Sequence, residues 1–442
     1  MELQFSRNIP VRHEVDVLVA GGGPAGCAAA VAAAQQGASV FVAEGHSCFG
    51  GMGTAGLVPW FCMFGDGVDF HAGGVGRLIY DEVYARGGTS SPAGSMSPAI
   101  RAEVLKRIYD DLLTDSGVGF SLMTQIIGIE QDGPRLTHAI CWGKSGLFAI
   151  AAKAFVDCTG DGDLCAWGGA PVEQGDADGG LMPGTLCSLW SGIDWARVNA
   201  SRGEGLRDDS RCAEAGDDGV FTIPDKHLPG MCMTSVEGVG GGNIGHTFGV
   251  DNTDERSVTK ALVWGRKLML EYERYYKEYL QGYEAMQLVA TGSLLGIRET
   301  RRVMGDYVLV LSDFQNQSIF ADEIGRFAYP VDIHASSNDE AAHAKFMEEF
   351  TTLRYKAGES YGIPYRALVP RNLDNVLVAG RCLSADRYLQ ASVRVMPGCY
   401  ITGQAAGVAA ALTAAGAGDT RQVDVSELQG RLKKLGAFLP NA

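Results

Sequence analysis

Two kinds of apolar pattern alternate at the start of the chain. Residues 15–20, VDVLVA, are nearly unbroken in apolar character, as in a strand buried on both faces. After three glycines, Pro24 opens a run of small residues, AGCAAAVAAAQQ, which predicts a helix over 24–36 with Gly37 as its stop. The segment SVFVA then predicts a second buried strand ending at Glu44. Farther on, Val104, Leu105, Ile108, Leu112 and Leu113 share one face of a helix predicted within 99–115, stopped by Gly117. Alternation through FSLMTQIIGIEQDG, THAICWG and LFAIAAKAFVDCTG predicts strands divided by turns at Asp132-Gly133 and at residues 144–146. Asp163, just beyond the last of them, reads as a helix cap or as a ligand contact.

Between about residues 171 and 360 the small-residue pattern stops. A packed helix is predicted over 257–280, with Leu262, Leu268, Tyr272, Tyr275, Tyr276 and Tyr279 at helical spacing. The polar stretch 201–218 reads as an exposed excursion. At 375–386 an apolar strand ending in glycine returns, and Pro397 opens a second Ala/Gly-rich helix.

Composition narrows the function classes. The chain has 442 residues and a net charge of −15, and no Lys/Arg cluster suited to nucleic acid or an anionic membrane surface. The eleven cysteines contain no CxxC pair and no zinc-ligand spacing, so reduced thiols, no metal and a cytoplasmic setting are expected. No signal-peptide-like stretch precedes the first strand, and no 18-residue apolar run suggests a membrane span. The 60 glycines, about twice the usual share, mark tight turns and close backbone approaches.

The sharpest cluster is Gly21, Gly23 and Gly26, the GxGxxG spacing between strand and helix that lets backbone amides approach a pyrophosphate. Glu44, about 20 residues on, stands where a ribose hydroxyl is gripped. Gly50, Gly51, Gly53 and Gly56 form a second glycine-rich stretch, and the helix at Pro397 aims its N-terminus at something further. A simple nicotinamide dehydrogenase has no use for that last device.

These segments, VAGGGPAG, GGMGTAG, VDCTGDGD, GIRETRRVMGDY, VAGRCLSAD and RVMPGCYITGQAAG, resemble FAD-dependent oxidoreductases of the glutathione-reductase-like fold, in the bacterial group related to succinate and fumarate flavoproteins. The resemblance implies an α/β fold: a Rossmann-like three-layer FAD-binding domain, with a parallel sheet, βαβ and a β-meander, built from residues 1–170 and 361–442. An α+β substrate or cap domain, 171–360, is inserted. It implies that Gly21, Gly23, Pro24, Ala25 and Gly26 hold the FAD pyrophosphate, Glu44 the adenosine ribose, and Gly50, Gly51 and Met52 the pyrophosphate and flavin. Ile126 would face the adenine, Gly160 and Asp161 the dinucleotide, Gly380, Arg381 and Asp386 the ribityl chain and phosphates, and Pro397 with Gly398 the flavin edge. The spacing of His46 and Cys48 to Gly50 is not that of a covalent histidyl flavin, so noncovalent FAD is expected.

For catalysis the candidates are Arg298 and Arg301, guanidinium forks suited to a carboxylate, and His71 and His246, each in or beside glycine-rich sequence. A competing reading makes Arg298, Glu299 and Arg302 a structural ion-pair set. The expected reaction is hydride transfer between a small organic substrate and flavin N5. A nicotinamide dehydrogenase or a non-catalytic flavin carrier are the alternatives. The substrate, the electron acceptor, the direction and any homo-oligomer are left open.

Overall fold

In the computed structural model, residues 3, 4, 6–223 and 228–442 are described. Met1, Glu2 and Phe5, part of the N-terminal stretch read above, lie outside them. The chain opens with β1 (Val11–Ala20), α1 (Pro24–Gln35) and β2 (Val40–Ala43), then α2 (Val75–Ala85) and α3 (Ala102–Asp115). Four strands follow: β3 (Gly119–Ser121), β4 (Gln125–Asp132), β5 (Arg135–Gly143) and β6 (Gly146–Asp157). Helix α4 (Asp163–Trp167) and β7 (Val172–Gln174) lead into β8 (Ser188–Ser191), α5 (Trp195–Gly203), α6 (Cys212–Asp217), β9 (Gly230–Met233), β10 (Gly240–Asn243) and α7 (Glu255–Tyr279). Then come β11 (Gln287–Thr291), β12 (Arg301–Val303), α8 (Leu311–Gln315), β13 (Glu323–Phe327), α9 (Glu340–Thr352), β14 (Tyr361–Pro364) and β15 (Val376–Val378). Helices α10 (Arg387–Val393), α11 (Met396–Ala415) and α12 (Val425–Lys434) close the chain.

The main sheet runs β3-β2-β1-β6-β5-β4, with β15 also paired to β6. Strands β2, β3, β6 and β15 join it in parallel, Val17 standing opposite Val40 on one side and Ala154 on the other. Strands β4, β5 and the start of β6 form the antiparallel meander. The strict alternation of β1 divides the core. Val17 and Val19 pack with α1, α3 and α11, whereas Leu18 and Ala20 pack with Ile126, Leu136, Ala139 and Cys141 of the meander. This is the three-layer, Rossmann-like architecture, and it unites the two ends of the chain.

A four-stranded sheet, β11-β8-β10-β9, forms a separate layer. Helix α7 packs there through Leu268, Met269, Tyr272, Tyr275 and Tyr276 around Trp190, so its aromatic face is core. Strands β13 and β14 pair with each other, and Phe327 and Tyr361 enter the core shared with α11.

Some local expectations need correction. Residues 201–218 are not simply an excursion: they hold the end of α5 and α6, and Asp208 within them is buried, accepting from Arg202, Met231 N and the Tyr276 hydroxyl. The cap of α4 is Gly162, in the left-handed conformation, and Asp163 is the first helical residue. Among the described residues no single helix is long and apolar enough to cross a membrane; α11, uncharged over its length, is buried almost throughout.

Candidate functional site

The glycine turn has the geometry its spacing predicts. Gly21 is left-handed, with φ of 88°, and a Cβ there would lie 2.7 Å from the Cys158 carbonyl oxygen. At Gly26 a Cβ would lie 1.9 Å from the Gly21 oxygen, so nothing larger than hydrogen lets α1 meet the turn. Gly23 caps α1, and a Cβ on it would meet nothing within 4 Å. Two glycines therefore serve packing, and the third leaves a space at the helix N-terminus. Gly51 lies across that space from Gly23, and Gly50 N donates to Gly22 O at 2.8 Å.

Glu44, buried at the end of β2, accepts from Gly22 N at 2.6 Å and from His46 N at 2.7 Å. The segment leading to Ile126 runs alongside, with Thr124 N donating to Glu44 O. His46 itself is exposed at this end of the cradle.

Helix α11 supplies the second device. Cβ atoms on Gly403 and Gly407 would lie 2.1 Å from the oxygens of Ala25 and Ala29, respectively. The two helices therefore run parallel in close contact, in a register that carries α11 six residues, about 9 Å, beyond the start of α1. Two positive helix ends thus face the same way at two depths, one for a pyrophosphate and one farther along for an electron-rich ring. An elongated dinucleotide fits this stagger.

Between the two lies Arg381, following left-handed Gly380. It donates to Gly160 O at 2.8 Å, to Ile297 O at 2.8 Å and to Asp161 Oδ1 at 2.6 Å. Asp161 also receives Thr300 and Asn252. The structure therefore brings Gly160, Asp161, Gly380 and Arg381 together. Asp386 is differently employed, its two carboxylate oxygens accepting from Leu389 N and Leu311 N as the cap of α10.

A family model described as FAD dependent oxidoreductase matches residues 16–432. The chain belongs to that family. FAD is its cofactor, and the glycine turn, Glu44 and the staggered helix ends are the residues that fit it. Among solved structures, a geranylgeranyl bacteriochlorophyll reductase-like protein from Thermoplasma acidophilum is 11% identical, with a TM-score of 0.44 over 96% of this chain and 82% of its own. The flavin-dependent brominase Bmp2 is 12% identical, with a TM-score of 0.43 over 95% and 83%. An anhydrotetracycline hydroxylase from Streptomyces rimosus is 13% identical, with a TM-score of 0.42 over 95% and 65%. No curated protein matches the chain.

The arginines of GIRETRR divide between two environments. Glu299, fully buried, pairs with Arg302 at 2.7 Å and Arg387 at 3.1 Å and accepts from Met182 N; Arg387 also reaches Asp176. The structural ion-pair set is thus Glu299, Arg302 and Arg387, without Arg298. Arg301 pairs with Asp163 at 3.0 Å. Burial, with Asp157 and Asp161 nearby, pushes the Asp163 carboxyl up to about 6 against the pull of Arg301.

Arg298 turns the other way. Its NH1 donates to Pro183 O at 2.8 Å and Thr185 Oγ1 at 2.9 Å, and it lies within electrostatic reach of Asp332 and His334. Glycines 292 and 296 beside it are held by the backbone: Gly292 N donates to Cys187 O, and Gly296 pairs with Thr185.

His334 was not singled out by its sequence. Its Nε2 lies 3.3 Å from Asp332 Oδ1, and its ring meets that of His246 edge-on with centroids 5.2 Å apart. Arg394 holds Asp332 from the other side, donating to its backbone oxygen at 3.1 Å and to Oδ2 at 3.2 Å. Burial alone would raise the Asp332 carboxyl, but the hydrogen bond with His334 and the guanidiniums of Arg394 and Arg298 hold it well below the usual carboxylate range. Burial, then Arg298, pushes His334 well down, so the ring is neutral.

This cluster adjoins the dinucleotide wall. Gln390 Nε2 donates to the backbone oxygens of Arg298 and Arg381, and Arg394 immediately precedes the cap of α11. His71 is elsewhere: it is buried 3.2 Å from Asp66 and stacks on Phe438. His246 and Arg298 thus share a neighbourhood, and His71 and Arg301 do not belong to it.

Proposed function

We propose that the chain is an FAD-dependent enzyme that moves a hydride between a small organic substrate and the flavin, with Arg298 positioning the substrate and the buried imidazoles handling the proton. FAD supplies two-electron chemistry when bound. The reading is carried by the buried group Arg298, His246, Asp332 and His334 beside the residues that fit the cofactor. Arg298 stands outside the Glu299–Arg302–Arg387 set, and its planar fork has the shape to set the pose of a carboxylate. Burial and Arg298 make the neutral His334 imidazole a weak base, and the Asp332 carboxylate 3.3 Å away is the counter-charge that a proton on it would need.

The test is Arg298→Lys, which keeps the charge and loses the fork. The expected result is unchanged flavin content and melting temperature, with single-turnover flavin bleaching by the reducing substrate slowed at least about tenfold. A variant that melts far earlier yet bleaches at the wild-type rate would give Arg298 a bracing role instead.

A further inference from the structure

We propose that the chain has a second ligand site, a groove between the first turns of α7 and the segment just before it, and that its ligand is a planar aromatic ring carrying one carboxylate or phosphate. The inference is independent of the hydride-transfer reading, since it uses neither Arg298 nor the flavin cradle.

The groove has a volume of about 400 Å³, near the lower end for small-molecule sites, so it has room for one or two rings and not for a dinucleotide. One wall is α7, where Ser257, Lys260, Ala261 and Trp264 fall at helical spacing on one stripe; the other is the segment 247–250. The floor is apolar: Val250 and Ala261 are buried with Leu186, Leu295 and Ile297 in a small core of their own. The groove backs on to the dinucleotide wall without being part of it. Asn252, just past Val250, donates to Asp161 Oδ2 at 2.7 Å, and the Ile297 carbonyl oxygen accepts from Arg381.

Charge selects an anion. Arg256, Lys260 and Asp254 are the charged side chains that line the groove. Asp254 is already engaged: its Oδ1 caps α7 by accepting from Arg256 N at 3.0 Å, and its two oxygens accept from the Arg256 guanidinium at 2.9 and 3.2 Å. That pair is neutral. Lys260 has no acidic group within ion-pair distance among the described residues, and it stands in the second turn of a 25-residue helix whose positive end opens on the groove.

The uncommitted polar groups agree with the charge. The Thr247 hydroxyl is buried without a hydrogen-bond partner. Ser257 Oγ accepts from Asp251 N at 3.0 Å, which leaves its own hydrogen to be donated. The indole nitrogen of Trp264 meets no acceptor among the described residues. With Lys260, these donors surround one space, and a carboxylate or phosphate is the group that several donors can share. The flat part of the ligand follows from Trp264 and Phe248, half-buried aromatics on the two walls, which offer their faces to a ring.

The test is calorimetric titration of purified holoenzyme, its cradle filled, with benzoate and with AMP, against the neutral benzamide and adenosine and the ringless acetate and inorganic phosphate. Benzoate or AMP should bind at least about tenfold tighter than its neutral and its ringless counterpart, and the one that does so identifies the source of the anion. Lys260→Gln, a change at an exposed position that should leave the melting temperature alone, should weaken that binding about tenfold, and Trp264→Leu should do the same. Binding of neither aromatic anion overturns the proposal. So does equal binding of the neutral counterparts, which removes the anion, or of acetate or phosphate, which removes the ring. An affinity unchanged in either variant would put the ligand elsewhere and remove the groove as its site.

Discussion

Glu299 and Asp163, paired with the neighbouring arginines Arg302 and Arg301, carry opposite energetic signs. Glu299 serves two guanidiniums and a backbone amide in complete burial. Glu299→Gln removes the buried carboxylate that Arg302 and Arg387 share, leaving them only Glu173 and Asp176, and a loss of about 3 kcal/mol is expected in urea unfolding. Asp163 is the reverse case. Its folded-state value of about 6 stands above the ordinary 3.8, so the unfolded chain releases this proton first, and stability falls as pH rises from about 4 to 6. Asp163→Asn should remove that dependence: relative to wild type, its unfolding free energy should rise by about 2 kcal/mol between pH 4 and pH 7. At this scale much of the site was hidden in the sequence. Arg298 stands out because three arginines crowd a short stretch of an acidic chain, but which one leaves the ion-pair set depends on Arg387, almost ninety residues away. His334 and Asp332 carry a fainter signal, a D-x-H pair in an extended segment, which puts both side chains on one side. Only their meeting with Arg298, Arg394 and His246 gives them meaning, and no local pattern encodes that meeting.

The helices α1 and α11 were the most legible elements, because the features that place them are local: a proline at the start, small residues throughout, and glycines at fixed offsets. Their mutual register was not legible, since it depends on which glycine meets which carbonyl oxygen. That register makes a sharp prediction. Gly403→Ala would set a methyl group 2.1 Å from Ala25 O and force the helices apart beside the pyrophosphate cradle. The purified variant should have a lower flavin-to-protein absorbance ratio and a stability loss of about 1–3 kcal/mol. Gly416→Ala, at the far end of α11, where the nearest atom is 3.2 Å away, is the control and should retain its colour. The shorter elements were harder to read. Helix α6 and strands β7 and β12 are held by partners distant in sequence, so polarity alone suggested an excursion where the chain in fact buries Asp208.

For the whole molecule, the cofactor should be held without a covalent link. His46 and Cys48 sit at the Glu44 end of the cradle, and His46 is exposed. Acid precipitation should leave all the yellow colour in the supernatant; colour in the washed pellet would mean a covalent bond. The union of the two chain ends has a consequence in time. Helix α1 emerges from the ribosome some 360 residues before α11, the helix that covers it, a delay of about 20–70 s at ordinary synthesis rates. Throughout that interval the side of α1 that meets α11 has no native partner, and the β15 side of β6 lacks its own for most of it. Completion of this core must therefore wait for α11, in about the last tenth of these 442 residues, and a nascent chain stalled before residue 396 should be protease-sensitive and chaperone-bound.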